Sequence, residues 1–544
     1  MSAELVIAAV GAADLCLQYG KRLLKIYEKF READNDVRGK ILIVESTWNR
    51  MAVQVEFVQR VARTMNSDHC RVHFEVLEMF QTKLLLTIKR LEPLIKEDDS
   101  SKPDRNKVKR WKYVLLHESL DKTISELEQW QRIFDPTWYL IILMADMAID
   151  SELLQERQEH GSFSSTTRHG QANSSSSSML TTAQKLRNMV RNNSIPNIHV
   201  TLSPDGLNWE SMQRIPYSTT QLICRMASNK LYLIESICCD SNLDIPRARA
   251  DAESLARKLK QIEPNIFGLL SCQGLVKRKT QPEGSLSSID LVFRLPGERS
   301  SPVSLRHELL KRPIVSLTTI LGIARQLATA VSFIHTCDFV HKNIRPETIL
   351  LLADSELELT AGRATLGSLH LLGFDRFRSI NFHTMRRGDA AWERNLYRHP
   401  LRQGLRAQEE YVMQHDVYSL GVCLLELGLW ESFVTYDETS EAQGDEELKV
   451  PSPILGLTMD DFDLSKSPSW PSIGMKNHLV DLAKSKLPQR IGDKYTAVVV
   501  TCLTCLDKGN EDFGDEEDMR DDDGILIGLR FIEKILFRLS EISF

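Results

Sequence analysis

Four apolar stripes, each stepping by four and three residues, run through the first 158 positions of this chain. Val6, Val10, Ala13, Leu17, Gly20 and Leu24 form the first, and Ile41, Val44, Trp48, Met51, Val55, Val58 and Ala62 the second. Leu77, Phe80, Leu84, Ile88, Leu91 and Ile95 form the third, and Leu116, Leu120, Ile124, Leu127 and Trp130 the fourth. Apolar side chains at this spacing lie along one face of a helix. Each stripe therefore has a face to bury, and four such helices with short connections make a bundle. Polar breaks fall at 34–36, 66–68 and 98–104, and a further helix is expected after Pro136, from Tyr139 to about Glu159.

The pattern then fails. Residues 161–178 are rich in serine and nearly free of large apolar side chains, so they cannot repay the entropy of ordering and read as a linker. The five serines 174–178 offer phosphorylation sites, or are simply spacer. Residues 180–215 stay ambiguous, because Pro196, Pro204 and Pro216 argue against long helices. After Tyr217 strands are expected at 231–237 and 289–295, and helices at 251–262, 318–336 and 416–429. An acidic run at 511–523 reads as a solvated loop, before a closing amphipathic helix at 525–539. The expected division is a helical bundle over 1–158, a linker and irregular segment over 159–215, and a mixed domain over 216–544.

Composition narrows the function classes. At 544 residues and 62.1 kDa the chain is too long for one core, and about two to four units are expected. A net charge of -6 and a pI near 6.2 leave no basic footprint, which argues against nucleic acid as a partner. The cysteines lack paired spacing, as in a reducing compartment. Cys502 and Cys505 form a CxxC inside an apolar run, but tetrahedral zinc needs four ligands, so helix packing is the expected role and no metal site is expected. A membrane-spanning helix needs about 20 apolar residues, and the run from Leu5 to Ala13 stops at Asp14. No basic residue precedes that run, so no signal peptide is expected, and the chain is expected in the cytoplasm.

The most informative stretch is His341-Lys342-Asn343-Ile344-Arg345-Pro346-Glu347-Thr348-Ile349-Leu350, which follows a helix ending in Phe333-Ile334-His335. It resembles a protein-kinase catalytic loop, whose pattern is His-Arg-Asp-Leu-Lys-x-x-Asn. Leu371-Leu372-Gly373-Phe374-Asp375 stands where a kinase carries Asp-Phe-Gly. Tyr397-Arg398-His399-Pro400 stands where Ala-Pro-Glu closes the activation segment. Asp416-Val417-Tyr418-Ser419-Leu420-Gly421-Val422 resembles the start of the kinase F-helix, where an Asp braces the catalytic loop. The resemblance implies an α+β protein-kinase-like bilobal fold, with a smaller lobe over about 216–297 and a larger one over 298–544.

The same resemblance implies that the chemistry is gone. Phosphoryl transfer needs a base, metal-holding groups, a Lys on the phosphates and a glycine loop over them. Asn343 occupies the base position, and its amide cannot accept a proton at neutral pH. Thr348 and Gly373 occupy the metal-holding positions, and Asp375 comes two residues late. Between Gly170 and Gly268 the only glycine is Gly206, and the strand Leu231-Tyr232-Leu233-Ile234-Glu235-Ser236 offers no Lys. Lys230 precedes that strand, and Glu253, a candidate for the C-helix acid, is expected to lack its partner. Arg345 keeps a cation at the catalytic-loop Lys position and is expected to pack locally. His341 and Phe374 retain the apolar spine positions, and Asp416 the brace. These substitutions imply a pseudokinase that is not an enzyme and requires no cofactor, with ATP binding weak or absent.

The phrases 397–400 and 419–430 also resemble kinase-like domains of fungal incompatibility and cell-death proteins. The start, Met1-Ser2-Ala3-Glu4-Leu5-Val6-Ile7-Ala8-Ala9-Val10-Gly11, resembles a HeLo domain, as in the HET-s incompatibility proteins. A HeLo-like bundle joined to a pseudokinase is similar in layout to mixed lineage kinase domain-like proteins. That resemblance implies a cell-death effector with an upstream protein activator, whose released helical domain self-associates and permeabilises membrane. Leu5, Val6, Ile7, Val10 and Leu17 are then the membrane-active residues, with Glu4 and Asp14 making insertion costly for a monomer. Lys102, Arg105, Lys107, Lys109, Arg110 and Lys112 form a basic stretch able to attract anionic lipid at about 1 kcal/mol each. The same residues also read as an ordinary first helix and a solvated helix start. The alternatives for the whole chain are a scaffold that binds protein partners, and a kinase fold with residual ATP binding.

Overall fold

The computed structural model describes all residues except 1–2, 32–34, 66, 97–104, 144–148, 152–186, 188–198, 227, 229, 240–243, 261, 263–266, 280–285, 297–300, 338, 354–365, 380–386, 390, 407–409, 438–447, 463–473, 514–524 and 544. The chain forms two compact units, Met1–Arg191 and Asn192–Phe544. The first is helical and the second contains sheet.

In the helical unit α1 (Ala3–Glu28), α2 (Asn35–Val61), α3 (Ser67–Lys96) and α4 (Arg105–Leu143) end or begin at the three polar breaks. The stripes meet in an aromatic core. Phe80 stacks on Trp130 with ring centres 4.2 Å apart and lies 5.9 Å from Trp48. A Cβ on Gly20 would stand 1.9 Å from Cζ2 of Trp48, so the first stripe carries a glycine where the indole crosses it. Arg50 and Gln54 both donate to the buried Asp135 carboxylate, at 3.1 and 2.7 Å, so this acid is satisfied.

Two expectations for this unit are corrected. Pro136 does not separate two helices, because α4 runs through it to Leu143. A proline removes one amide donor, but Phe134 and Trp138, one turn apart and fully buried, hold the backbone helical, and the Thr137 hydroxyl donates to the Phe134 carbonyl at 2.8 Å. The boundary at 158 also moves. Arg187 is 1% exposed and pairs with Asp150, so the unit takes in residues beyond the serine-rich tract. The tract itself, 161–178, lies outside the described residues, as do Lys102 and the side chains of Arg105, Lys107, Lys109, Arg110 and Lys112.

The second unit opens with β1 (Leu207–Arg214), β2 (Gln221–Arg225), β3 (Leu231–Cys238), β4 (Cys272–Lys279) and β5 (Leu286–Arg294), an antiparallel sheet in the order β1-β2-β3-β5-β4. Helix α5 (Ile245–Leu259) connects β3 to β4. Period-two alternation sends Tyr232 and Ile234 of β3 into one core with Leu207, Ile223, Val276 and Val292. Leu233 and Glu235 therefore point to the opposite face. The unit starts before 216, since β1 lies inside the stretch read as irregular. Only Leu207 and Trp209 of β1 reach the core, and the strand's second half is exposed, so its period was carried by two residues.

Beyond β5 come β6 (Ser301–Ser304), α6 (Leu305–Lys311), α7 (Leu317–Thr336), β7 (Ile349–Ala353) and β8 (Ser368–Leu371). Helices α8 (Met413–Leu429), α9 (Met475–Ile491) and α10 (Asp493–Leu503) follow. Among the described residues α7 is the one helix long and apolar enough to cross a membrane, and 61% of its apolar 18-residue stretch is buried inside the protein. Every residue of α8 is buried. The closing helix spans Ile525–Phe531 and Arg538–Glu541 with a π-helical segment, Ile532–Phe537, between them. Cys502 and Cys505 are buried where α10 ends, and the Cys505 thiol donates to the Gln414 carbonyl at 3.2 Å.

Candidate functional site

The loop 341–348 hangs from one carboxylate. Asp416, in the first turn of α8, accepts the backbone N–H groups of His341 at 2.7 Å and Lys342 at 2.9 Å. Lys342 has φ +66, and this left-handed turn aims two successive amides at one acid. The Tyr411 hydroxyl at 2.6 Å and His335 Nε2 at 3.0 Å complete the set. Burial pushes the Asp416 pKa up, but hydrogen bonding and charge from His335 and His341 outweigh it and hold the acid below the usual carboxylate range. The His341 ring lies 5.0 Å from Phe374, which in turn lies 6.0 Å from Phe293 on β5. One ring stack thus runs from the loop to the sheet.

The polar positions of the loop are spent on one another. Asn343 Nδ2 donates to Asp375 Oδ1 at 2.7 Å, and its Oδ1 accepts from Arg345 Nε at 2.9 Å. Both ends of the amide are occupied. Arg345 is buried and packs locally, with Glu347 3.7 Å away. The Thr348 hydroxyl donates to the Asn343 carbonyl at 2.8 Å. Gly373 has φ +93, and a Cβ there would meet Thr348 Cγ2 at 2.4 Å and Cβ at 2.6 Å. No side chain fits at 373 while Thr348 holds its place. Asp375, two residues late for the metal-holding position, is the partner of Asn343.

Sequence reading missed the group that faces this loop. Glu235, the one charged residue of β3, is buried with its apolar neighbours. Its carboxylate accepts from Gly373 N at 2.6 Å, Phe374 N at 3.1 Å and the Thr220 hydroxyl at 2.9 Å. Burial pushes its pKa up to about 7, against the pull of those hydrogen bonds. The turn between β1 and β2 closes over the same space. Ser218 donates to the Glu347 carbonyl at 2.8 Å, and Ser304 donates to the Pro216 carbonyl at 2.7 Å. Tyr217 takes φ +53 and lies 4.5 Å from Tyr436 and 5.8 Å from His307. A lone acid in an apolar strand, and the aromatic at a tight turn, were the available signals. Beneath the loop, Arg306 is fully buried and bonded to Glu426 at 2.8 Å and the Tyr397 hydroxyl at 2.6 Å.

Other positions fall elsewhere. Lys230 is exposed at the start of β3. Glu253 pairs with Lys277 of β4, rather than with a residue of β3, at 2.9 Å, and with Arg249 at 3.0 Å and Arg257 at 3.4 Å. In the helical unit Leu5, Val6 and Val10 are partly exposed, and Ile7 is 70% exposed. Leu17 of the same helix is buried in the bundle. Among the described residues no group of three or more His, Cys, Asp or Glu stands together as a metal site.

No protein-family model and no curated protein sequence matches the chain. Among solved structures, a chain of the CAK complex from Chaetomium thermophilum bound to ATP-gamma-S is similar at 16% identity and a TM-score of 0.33, over 59% of this chain and 86% of that one. A likeness of that size assigns neither ligand nor activity.

Proposed function

We propose that the sheet-containing unit is a catalytically silent, protein-kinase-like clamp, and that the helical unit is a cell-death effector that permeabilises membrane when released. Glu235 carries the first part. A carboxylate, not a cation, faces the loop and holds the backbone of Gly373 and Phe374. A triphosphate entering here meets that acid, and Gly373 has no room for a magnesium-holding side chain. The residues do not fit magnesium-ATP, and no phosphoryl-transfer step is assigned. The chain is taken to act from the cytoplasm, with recruitment to anionic membrane on activation by an upstream protein.

The second part is supported by the apolar side chains that the first turns of α1 leave partly outside the bundle, Ile7 above all. A scaffold that binds only proteins is favoured by one observation: Ala9, Ala12 and Ala13 of the same helix are buried, so insertion requires the bundle to open. Dye release from anionic vesicles separates the two. Residues 1–191 should release dye, and the full chain should do so less. If 1–191 folds, self-associates and leaves vesicles intact across lipid compositions, the scaffold reading replaces this one.

A further inference from the structure

The chain enters the sheet-containing unit along an edge. Before β1 begins, residues 199–202 lie beside β4, which is the last strand of its sheet. Leu275 N donates to the Val200 carbonyl at 2.7 Å, and Leu202 N donates to the Leu275 carbonyl at 2.8 Å, a parallel bridge centred on Thr201. Lys260, just past α5, donates to the His199 carbonyl at 3.2 Å. Val200 is 4% exposed, and Leu202 packs against the sheet core with Trp209. The strand is shaped for this neighbour. It bulges between Cys272 and Gly274, and a Cβ on Gly274 would stand 2.3 Å from the Val200 oxygen and 2.9 Å from Leu202 Cγ.

We infer that the outer edge of β4 is a strand-binding site, filled here by the chain's own residues 199–202 and able to take an extended segment of a partner polypeptide with apolar side chains at alternate positions. The internal occupant defines what is recognised. Two main-chain hydrogen bonds set a parallel register, and the side chains at i and i+2 fill the core, which is the division of labour in strand addition. The two main-chain bonds contribute only about 0.5–1.5 kcal/mol net each, so a competing strand that supplies the same bonds and the same apolar side chains can exchange with the strap. A sheet edge without a neighbour is prone to pair with any free strand, so displacement of the strap leaves a receptive surface. Only Ser203 and a single 3-10 turn, Pro204–Gly206, separate the strap from β1, so its displacement loosens the approach to that strand.

The test uses the full chain and a labelled peptide copying residues 198–203, Ile-His-Val-Thr-Leu-Ser. A chain carrying Val200→Ser and Leu202→Ser should bind the peptide at least tenfold tighter than the unsubstituted chain, whose edge is occupied. A peptide with the same two serines should bind neither, and adding Gly274→Val should abolish binding. Equal binding to both chains, or to neither while the variant melts cooperatively, overturns the inference. Should the double variant fail to fold, hydrogen exchange on the unsubstituted chain decides. Millimolar peptide should speed exchange of the Leu202 amide at least tenfold and leave Leu275 protected, and unchanged Leu202 exchange overturns the inference.

Discussion

At Gly373 the backbone and the packing make one demand. The φ of +93 disfavours any side chain, and Thr348 stands 2.4 Å from where a Cβ would be. Gly373→Ala should therefore destabilise the sheet-containing unit by about 1–3 kcal/mol, from overpacking and backbone strain together. Chemical denaturation measures this, and an unchanged midpoint refutes it. Asn343→Asp follows different physics. Its amide now gives Asp375 a hydrogen bond at 2.7 Å, and the substitution replaces that donor with a second carboxylate. The variant should lose stability at neutral pH and regain part of it on acidification, once one acid of the pair is protonated. It should not incorporate phosphate from magnesium-ATP. A variant as stable as the parent at pH 7, or one with magnesium-dependent transfer abolished by a further change at Asp375, contradicts this account.

The helices of the first unit were legible because each stripe repeats over many turns, so the period survives individual exceptions such as Gly20. That exception is itself interpretable, since Trp48 crosses α1 there with no space for a Cβ. Gly20→Ala gains helix propensity but should still cost about 1–3 kcal/mol, because a buried indole must move. A stabilised variant, judged by thermal melting, means the indole has another seat. The loop from His341 to Thr348 and its counterpart Asp416 were legible as a motif, because their spacing lies within short segments. Glu235, Thr220 and the turn at Tyr217 were not. They meet the loop only through the fold, with Glu235 and Gly373 138 residues apart. The strand β1 was lost for the opposite reason, being half exposed and carrying too little pattern. Pro136 misled because packing of Phe134 and Trp138 outweighs the local penalty of proline.

Across the whole molecule the buried histidines set the response to acid. Burial lowers His69 and His73 of the helical unit to about 4 and about 3. In the sheet-containing unit it lowers His341 and His370 to about 4, and His399 and His415 to about 3. An unfolded histidine titrates near 6.5. Between about pH 6.5 and pH 4 these rings bind protons in the unfolded chain and not in the folded one, so each weakens the fold as the pH falls. Glu235 works the other way. Its folded pKa, raised to about 7, lies above the unfolded value, so its contribution grows as the pH falls from about 7 toward 4.5. Burial raises Glu426 as well, so two glutamates oppose these four histidines in the sheet-containing unit, and both units should melt at progressively lower temperature from pH 7 to pH 4.5. Above pH 7 the histidine term is flat. His73→Phe should flatten the fall for the helical unit alone, since the ring is buried and stands 6.2 Å from the Phe134 ring. Calorimetry across this range tests the account: a melting temperature that rises on acidification, or a His73→Phe variant whose pH slope equals that of the parent, would show that these rings are not the groups that couple the fold to protons.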